Sequence, residues 1–338
     1  MPGPFNVIMT SGFLAASAVE ILERANCVIH YMRPYPSAED VAALTAQIQA
    51  DAILTRQGPV SVAAMDASKN LRVIARHGVG VDDVDIAAAS SRGILVTRAP
   101  GSNTRAVAEH TLALILALSK DLRHHGDAIA AGRWRHPTAS VRDLEGLRVG
   151  LLGFGEIAQA VAPMARAFGM VVSAYSPSGR AGTGGVMLVP TLGDLLAGSD
   201  VLSVHCPLTP ATHHLIDGAA LARLPQGAFV INTARGGIID ETALAAALES
   251  GHIGGAGLDV FEGEPPSADH PLRNHPKVLA TPHISGVTEA SLVNMGVMAA
   301  ECIALVLTGQ VVPEARIVKF GPEARIVKSV PEQRIVKG

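Results

Sequence analysis

Aromatic and cysteine residues are scarce in this chain of 338 residues. Phe, Trp and Tyr together make up 3% of it, so its cores have to be built from aliphatic side chains. The three cysteines, Cys27, Cys206 and Cys302, are few, odd in number and far apart. This argues against a disulfide framework and favours a reducing, cytoplasmic location. A hydrophobic fraction of 48% argues against disorder, and an aliphatic composition suits parallel sheets covered by helices.

The chain also lacks an excess of one charge, a long apolar run and a metal-binding pattern. A net charge of −3 argues against nucleic acid as the partner. The N-terminal sequence has no basic start followed by an apolar run, so we expect no signal peptide. The apolar stretch 111–118 is too short to span a bilayer, so we expect no membrane partner. The 13 histidines lack the spacing of metal ligands, and no metal is predicted.

Short β-branched segments alternate with Ala- and Leu-rich segments of helical spacing. This predicts an α/β protein with two Rossmann-like, doubly wound parallel sheets. The candidate strands are 5–9, 52–55, 71–75 and 94–97 in a first series, and 148–152, 171–175, 201–205, 228–232, 255–259 and 278–281 in a second.

Two long helical stretches set the predicted domain limits. The stretch 105–131 separates the two series of strands, and the stretch 288–307 is predicted to return to the first domain. A discontinuous substrate domain then comprises 1–100 plus 289–312, and the NAD(P)-binding domain inserted into it comprises 101–288. We expect the ligand in the cleft between them.

The C-terminal residues 313–338 repeat one short unit with a period of nine. The copies read PEARIVKFG, PEARIVKSV and PEQRIVKG. So short a unit cannot form a core of its own, so the tail is predicted to be disordered and is left outside both domains. A basic appendage, a partner-binding segment and an artefact all remain open interpretations.

A glycine-rich turn follows the predicted strand 148–152 and opens a helix. Gly153 would make the tight turn, and Gly155 would let the backbone approach a pyrophosphate. The next residues, Glu156 and Ile157, begin the helix, whose unpaired N–H groups favour an anion. This pattern predicts a dinucleotide cofactor, NAD or NADP.

The choice between the two cofactors depends on the residues after the next strand. An acidic residue there would bind the ribose 2′-hydroxyl and repel a 2′-phosphate. Ser176 stands at this place and does not repel a phosphate, and Arg180 could contact one, which favours NADP slightly. Alternatively, Ser176 simply ends the strand and Arg180 is a solvated loop charge.

Several motifs in one order resemble the D-isomer-specific 2-hydroxyacid dehydrogenase family, which includes D-3-phosphoglycerate, glyoxylate/hydroxypyruvate and D-lactate dehydrogenases. They span about 50–312 and read RHGVGVDDVD, APGSNTRAVAEHTLALILAL, the glycine-rich turn, VHCPLTPATHHLI, INTARGGIID, GLDVFEGEPP and TPHISG. The resemblance implies an oxidoreductase that moves a hydride between a nicotinamide cofactor and a small D-2-hydroxy or 2-keto acid. It also implies a homodimer and a catalytic set of Arg235, Glu264 and His283.

The residue types give each member of this set a role. Arg235 supplies a charged, planar fork for a carboxylate and the neighbouring carbonyl. His283 delivers a proton to the carbonyl oxygen, or removes it in the reverse direction. Glu264 orients the imidazole and favours its charged form. Singly, each residue could instead be structural: a strand-end cap, a solvated acid and a loop histidine.

The resemblance also implies further contacts. For the cofactor these are His205, Cys206, Pro207, Thr233, Ala234, Gly286 and, on the nicotinamide side, Asp259. For the substrate, besides Arg235 and His283, they are Arg56, Arg76, Val79 and Gly80. The two arginines occupy positions that contact the substrate phosphate in phosphoglycerate dehydrogenases, with a surface role or a dimer contact as the alternative. The turn at Val79 and Gly80 could offer N–H groups to a carboxylate.

Two other functions fit the same sequence. A phosphite-type dehydrogenase of the same superfamily keeps Glu at position 264, whereas formate dehydrogenases place Gln there. A non-catalytic, cofactor-sensing protein related to transcriptional corepressors could also keep the catalytic set. Oxidation of reduced cofactor by a 2-keto acid separates these functions from the proposed one.

Overall fold

The computed structural model describes residues 3–134, 141–177 and 185–319. The chain divides into two compact units, the first with Met1–Asn103 and Val287–Gly338 and the second with Thr104–Gly286. The boundaries between the units lie after residues 103 and 286. The sequence placed them after residues 100 and 288. The continuous second unit therefore contains all the residues assigned to catalysis and to the cofactor.

Among the described residues of the first unit, the strands form one parallel sheet in the order β2-β1-β3-β4-β5. The strands are β1 (Phe5–Met9), β2 (Cys27–Tyr31), β3 (Ala52–Thr55), β4 (Val73–Arg76) and β5 (Leu95–Thr97). The connecting helices are α1 (Ala16–Arg24), α2 (Ala38–Ile48), α3 (Val62–Asp66) and α4 (Ile86–Ser91).

This sheet has a hydrophobic core on each face. Val7 and Met9 of β1 join one core and Ile8 joins the other, all with no exposed surface. Successive side chains of a strand point to opposite faces, so a strand buried on both sides has to be apolar throughout. The predicted doubly wound arrangement is confirmed.

The described strands of the second unit form a parallel sheet in the order β12-β11-β10-β9-β6-β7-β8. The helices are α5 (Thr104–Ser119), α6 (Leu122–Ala130), α7 (Glu156–Ala167), α8 (Leu192–Ala197), α9 (Gly218–Leu221) and α10 (Glu241–Glu249). The strands are β6 (Arg148–Leu152), β7 (Val171–Tyr175), β8 (Met187–Leu188), β9 (Val201–Val204), β10 (Ala228–Asn232), β11 (Ile253–Leu258) and β12 (Val278–Ala280). The order matches the dinucleotide-binding sheet, extended by β12, and it reverses between β6 and β9.

Three elements differ from the sequence prediction. The strands β2 and β8 are absent from the predicted set, because β2 is a partly exposed edge strand and β8 has two residues. The single helix predicted over 105–131 is broken into α5 and α6. Asp121 lies between them in the left-handed conformation, with φ 47°, and this conformation ends a helix.

The last helix, α11 (Glu289–Leu307), belongs to the core of the first unit. Its length and composition are those of a membrane span, the one such helix in the described part of the chain. Half of its apolar stretch is nevertheless buried, including Ala299, Ala300 and Ile303, and it packs on α1, β3 and β4. Packing within the unit explains its apolar composition.

Residues 313–319, the described part of the first C-terminal repeat, also pack in the first unit. Ile317 forms an antiparallel bridge with Thr97 of β5, and the Val318 amide donates to the Val96 carbonyl at 2.9 Å. The segment up to residue 319 thus adds backbone hydrogen bonds to the sheet edge, whereas the sequence placed everything after residue 312 outside both domains. The repeats from residue 320 onwards lie outside the described residues.

Candidate active site

The carboxyl ends of three neighbouring strands carry the three residues assigned to catalysis. Because β10, β11 and β12 are adjacent and parallel, the loops that follow them start at one edge of the sheet. Arg235 follows β10, Glu264 lies in the loop after β11, and His283 follows β12. The topology of the second unit therefore gathers residues that are far apart in the sequence.

His283 and Glu264 form a hydrogen-bonded pair. The distance from His283 Nδ1 to Glu264 Oε2 is 2.7 Å, and the Phe261 amide donates to Glu264 Oε1 at 3.2 Å. Because Nδ1 faces a carboxylate, it carries a proton, and Nε2 is left to exchange a proton with a substrate. The side chains are 48% and 38% exposed, so a ligand can reach the pair.

Burial and hydrogen bonding act in opposite directions on Glu264. Burial raises the pKa of its carboxyl group. The hydrogen bond and charge of His283, the Phe261 amide and the charge of Arg235 lower it by more, so the pKa of Glu264 lies below its usual range. Glu264 is therefore a carboxylate at neutral pH and can accept the hydrogen bond of the imidazole.

Asp259 supports the loop that carries His283. Its carboxylate has no exposed surface and accepts hydrogen bonds from the Thr281 hydroxyl at 2.6 Å, the Ile284 amide at 2.9 Å and the Ser285 amide at 2.8 Å. These bonds hold His283 at φ 52°, a left-handed conformation that costs free energy outside glycine. The carboxylate assigned to the nicotinamide side of the cofactor is thus engaged inside the protein.

Arg235 is held by a turn that Asn232 closes. The buried Asn232 side chain donates a hydrogen bond to the Arg235 carbonyl at 2.8 Å and accepts one from the Ala234 amide at 3.0 Å. The next residue, Gly236, packs so closely that a Cβ would lie 1.9 Å from the Phe261 carbonyl carbon. Only glycine permits this approach, which presses the Arg235 segment against the segment leading to Glu264.

Three supporting residues are absent from the predicted set: Asn232, Thr281 and Glu241. Glu241 begins α10, is buried, and accepts hydrogen bonds from the Glu262 amide at 2.8 Å and His270 Nε2 at 2.9 Å. For Thr281 and for Asn232, the usable signal was a polar residue at the carboxyl end of an apolar strand. Glu241 gave no such signal, since it reads as an ordinary acid in the first turn of a helix.

The glycine-rich turn lies where the strand order reverses. Gly153 has φ 93°, and a Cβ there would lie 2.8 Å from the carbonyl group of His205. Gly155 caps α7, and no atom lies within 4 Å of the place where its Cβ would be. The helix starts at Glu156 and Ile157, with its first unpaired N–H groups at this open space. These features fit the pyrophosphate of a dinucleotide.

The segment after β9 presents uncharged groups. Burial lowers the pKa of His205 to about 4 and raises the pKa of the Cys206 thiol to about 11. At neutral pH the imidazole is therefore neutral and the thiol protonated. His205 Nε2 lies 2.8 Å from the Ser203 hydroxyl, and the Pro207 carbonyl accepts from the Thr212 hydroxyl at 2.7 Å.

The other residues assigned to the cofactor lie at strand ends and loops of the same unit. Thr233 is buried, with its hydroxyl 3.1 Å from a threonine hydroxyl of α5, and Ala234 is half-buried. Ser176 is half-buried directly after β7, and Gly286 ends the second unit. Arg180 lies outside the described residues.

Among the residues assigned to the substrate in the first unit, Arg56 follows β3, Arg76 ends β4, and Val79 and Gly80 lie in the loop after β4. Arg76 Nη1 lies 2.6 Å from Asp83 Oδ2 and donates to the Arg56 carbonyl at 3.0 Å, so part of its charge is compensated within the unit. Burial, followed by the charges of Arg56 and Arg76, lowers the pKa of His77 to about 4. His77 is therefore neutral at pH 7, within reach of the charges of both arginines.

A protein-family comparison matches most of the second unit. The family model described as D-isomer specific 2-hydroxyacid dehydrogenase, NAD binding domain, covers residues 112–285. The matched range contains the glycine-rich turn together with Arg235, Glu264 and His283.

Curated relatives and solved structures point the same way. D-3-phosphoglycerate dehydrogenase of Mycobacterium leprae (strain TN) is 43% identical over 276 residues, which cover 80% of this chain and 52% of that one. A Thermus thermophilus protein of known structure has a TM-score of 0.83 and 35% identity, covering 93% of this chain and 100% of that one. An NADPH-dependent glyoxylate/hydroxypyruvate reductase of Sinorhizobium meliloti, solved with NADP and malonate, has a TM-score of 0.81 and 30% identity, with coverages of 94% and 97%. The chain spans about half the length of the curated relatives that it matches.

Proposed function

The chain belongs to the D-isomer specific 2-hydroxyacid dehydrogenase family, and we propose that it transfers a hydride between NAD(P)(H) and a small D-2-hydroxy acid or its 2-keto acid. The observation that carries this proposal is the 2.7 Å pair of His283 and Glu264 at the sheet edge that also holds Arg235. An acid–base histidine and a cationic fork are the two groups that reduction of a 2-keto acid requires of the protein.

A nicotinamide cofactor held at the glycine-rich turn would supply or accept the hydride, and the residues of this chain would bind the substrate and move the proton. The Arg235 guanidinium binds the substrate carboxylate and polarises the adjacent carbonyl. His283 delivers the Nε2 proton to the carbonyl oxygen as negative charge develops there. Glu264 stabilises the imidazolium and keeps Nδ1 directed toward itself. In the oxidation direction, the neutral His283 ring removes the hydroxyl proton.

Turnover of a panel of 2-keto acids with NADH and NADPH tests the activity. His283→Ala should lower kcat by ~10²–10⁴, the effect of losing a positioned acid–base group, while the Kd of the cofactor stays unchanged. His252→Ala is the matched control, because His252 precedes β11 at the opposite end of the same sheet. A wild-type protein that binds the cofactor and reduces no keto acid would support the corepressor-like or phosphite-type alternatives instead.

For the substrate we propose the 3-phosphoglycerate and 3-phosphohydroxypyruvate pair, with Arg56 and Arg76 as contacts of the phosphate and Val79 and Gly80 as contacts of the carboxylate. The support is the 43% identity to a D-3-phosphoglycerate dehydrogenase. Hydroxypyruvate or glyoxylate is the second candidate, favoured by the salt bridge that already compensates Arg76. A higher kcat/KM for 3-phosphohydroxypyruvate than for hydroxypyruvate, abolished in Arg56→Ala, would decide for the first pair.

For the cofactor we propose that NADP(H) is used at least as well as NAD(H). Ser176 follows β7 where an acid would repel the 2′-phosphate, and a charge-assisted bond from Arg180 would contribute ~1.5–3 kcal/mol. That corresponds to about a tenfold to hundredfold preference. The kcat/KM values for both cofactors test this, with Ser176→Asp and Arg180→Ala as variants. A strong NAD preference that is insensitive to Arg180→Ala would contradict it.

We also propose a cytoplasmic homodimer. The support for the location is that Cys27, Cys206 and Cys302 are all free thiols. The support for the dimer is the exposed apolar surface at α6 and just after it. No residue of α6 is buried, Leu122 and Ile129 are more than half exposed, and Trp134 is 80% exposed. Apolar surface of this kind marks association sites.

A further inference from the structure

Two adjacent histidines meet one carboxylate at the surface of the second unit. His213 Nε2 lies 3.3 Å from Glu262 Oε1, and His214 Nε2 lies 3.2 Å from Glu262 Oε2. The two rings are stacked, with centroids 4.0 Å apart and planes inclined by 25°. The three ligand atoms lie within 4.8 Å of one another, the one such group of His, Cys and acidic side chains among the described residues.

From this geometry we propose that His213, His214 and Glu262 form a binding site for a divalent transition-metal ion of the zinc type. Two imidazole nitrogens and a carboxylate oxygen are ligands that Zn²⁺, Cu²⁺ and Ni²⁺ prefer, whereas Mg²⁺ and Ca²⁺ prefer oxygen ligands alone. Water would complete the coordination, because the three side chains are 51%, 37% and 46% exposed.

The observed distances are compatible with coordination of one ion, with each imidazole next to a different oxygen of the Glu262 carboxylate. Two atoms bound at about 2.1 Å to one tetrahedral Zn²⁺ lie about 3.4 Å apart. The nitrogen–oxygen distances here, 3.3 and 3.2 Å, are close to that separation. A charge-assisted N–H···O bond is shorter, at about 2.7–2.9 Å.

The backbone holds the three ligands in place before any ion binds. His214 adopts the left-handed conformation, with φ 49°, so that the two neighbouring rings lie on one side of the chain. Its amide donates to the Gly237 carbonyl at 2.8 Å, and the Glu262 amide donates to Glu241 at 2.8 Å. A preformed site loses less conformational freedom on binding.

The site is separate from the pair assigned to catalysis. The Glu262 carboxylate contacts His213 and His214, whereas the Glu264 carboxylate contacts His283. Occupation by an ion would link the 213–214 segment to the loop after β11, and binding to the folded state alone raises its stability. Metal binding at this site does not depend on which acid the protein reduces.

Titration of the 338-residue chain, stripped of metal and free of any polyhistidine tag, tests the proposal. We expect one equivalent of Zn²⁺ to bind at neutral pH and to raise the unfolding temperature, and Mg²⁺ to do neither. Cu²⁺ as a probe should give an electron paramagnetic resonance spectrum with two coordinated nitrogens. A wild-type spectrum without nitrogen ligands, or the absence of stoichiometric Zn²⁺, would overturn the proposal without recourse to any variant.

Two variants assign the ligands. His214→Asn keeps a residue that tolerates the left-handed conformation, and Glu262→Gln keeps the size of the side chain. Each should lower Zn²⁺ affinity roughly tenfold or more, since loss of even an outer-shell partner has an effect of this size. The matched control is His124→Asn, because His124 and His125 are also adjacent in the sequence. Their rings meet edge to face with centroids 5.8 Å apart, and among the described residues no carboxylate pairs with them. Equal affinity in all three variants would overturn the assignment.

Discussion

Replacing Asp259 with Asn tests whether this buried carboxylate positions His283. The substitution preserves size but puts an NH₂ donor where an acceptor stands. One Asp259 oxygen accepts from the Thr281 hydroxyl and the Ile284 amide, and the other accepts from the Ser285 amide. Whichever way the new amide group turns, its nitrogen faces a backbone N–H, and that N–H loses its acceptor.

The cost follows from these contacts. A buried donor without a partner costs about 1–3 kcal/mol, and the hydrogen bonds that remain lose a charged acceptor. We therefore expect a total of about 3 kcal/mol against the loop conformation that holds His283 at φ 52°. Because 1.4 kcal/mol corresponds to a factor of ten in an equilibrium, about 3 kcal/mol corresponds to roughly a hundredfold. A misplacement of a catalytic group by about 1 Å has an effect on rate of the same size, roughly 10². We therefore expect kcat to fall about a hundredfold.

Steady-state kinetics with the best keto acid provides the assay, and kcat is the parameter expected to change more than KM. Thr281→Val is the graded control, because it removes one donor to Asp259 and leaves no backbone N–H unsatisfied, so its kcat should fall less. Amide hydrogen exchange should accelerate at Ile284 and Ser285 in Asp259→Asn. An Asp259→Asn enzyme with wild-type kcat and unchanged exchange would refute the positioning role.

Three further predictions follow from the second unit. Gly236→Ala should destabilise this unit by ~1–3 kcal/mol or more, because the added Cβ would overlap the Phe261 backbone. Gly263→Ala is the control and should be tolerated, because no atom lies within 4 Å of its added Cβ. Equal denaturation midpoints for the two variants would contradict this prediction. Because the folded pKa of Glu264 is depressed, its contribution to stability is complete above the unfolded pKa of about 4.3 and is lost as the pH falls through the folded value. The difference in unfolding midpoint between wild type and Glu264→Gln should therefore vanish in acid, and a difference that persists there would count against the pair. Light scattering should show a dimer that Trp134→Glu weakens, and a wild-type monomer at micromolar concentration would exclude that interface.

Local patterns in the sequence were sufficient for the fold class. Apolar, β-branched runs bounded by turn residues predicted several strands to the residue, among them Phe5–Met9, Arg148–Leu152 and Ala228–Asn232. The central residues of these runs are buried on both faces of a sheet, so an apolar run in the sequence also marks the position of a strand. The family could also be identified from the sequence, because each of its motifs is a short contiguous segment and the motifs occur in one order. The three residues assigned to catalysis could be named from the sequence because each lies inside such a segment.

Only the tertiary structure decided which distant residues meet. Asp259 reaches the loop up to Ser285 through the parallel register of β11 and β12, and Glu262 meets His214 across 48 residues of chain. Adjacent histidines carry no ligand spacing in the sequence, and the left-handed conformation that stacks their rings has no local signal in a histidine. Contacts of this kind depend on strand order and loop conformation. Both are set by packing over the whole unit, which the periodicity of a single segment does not contain.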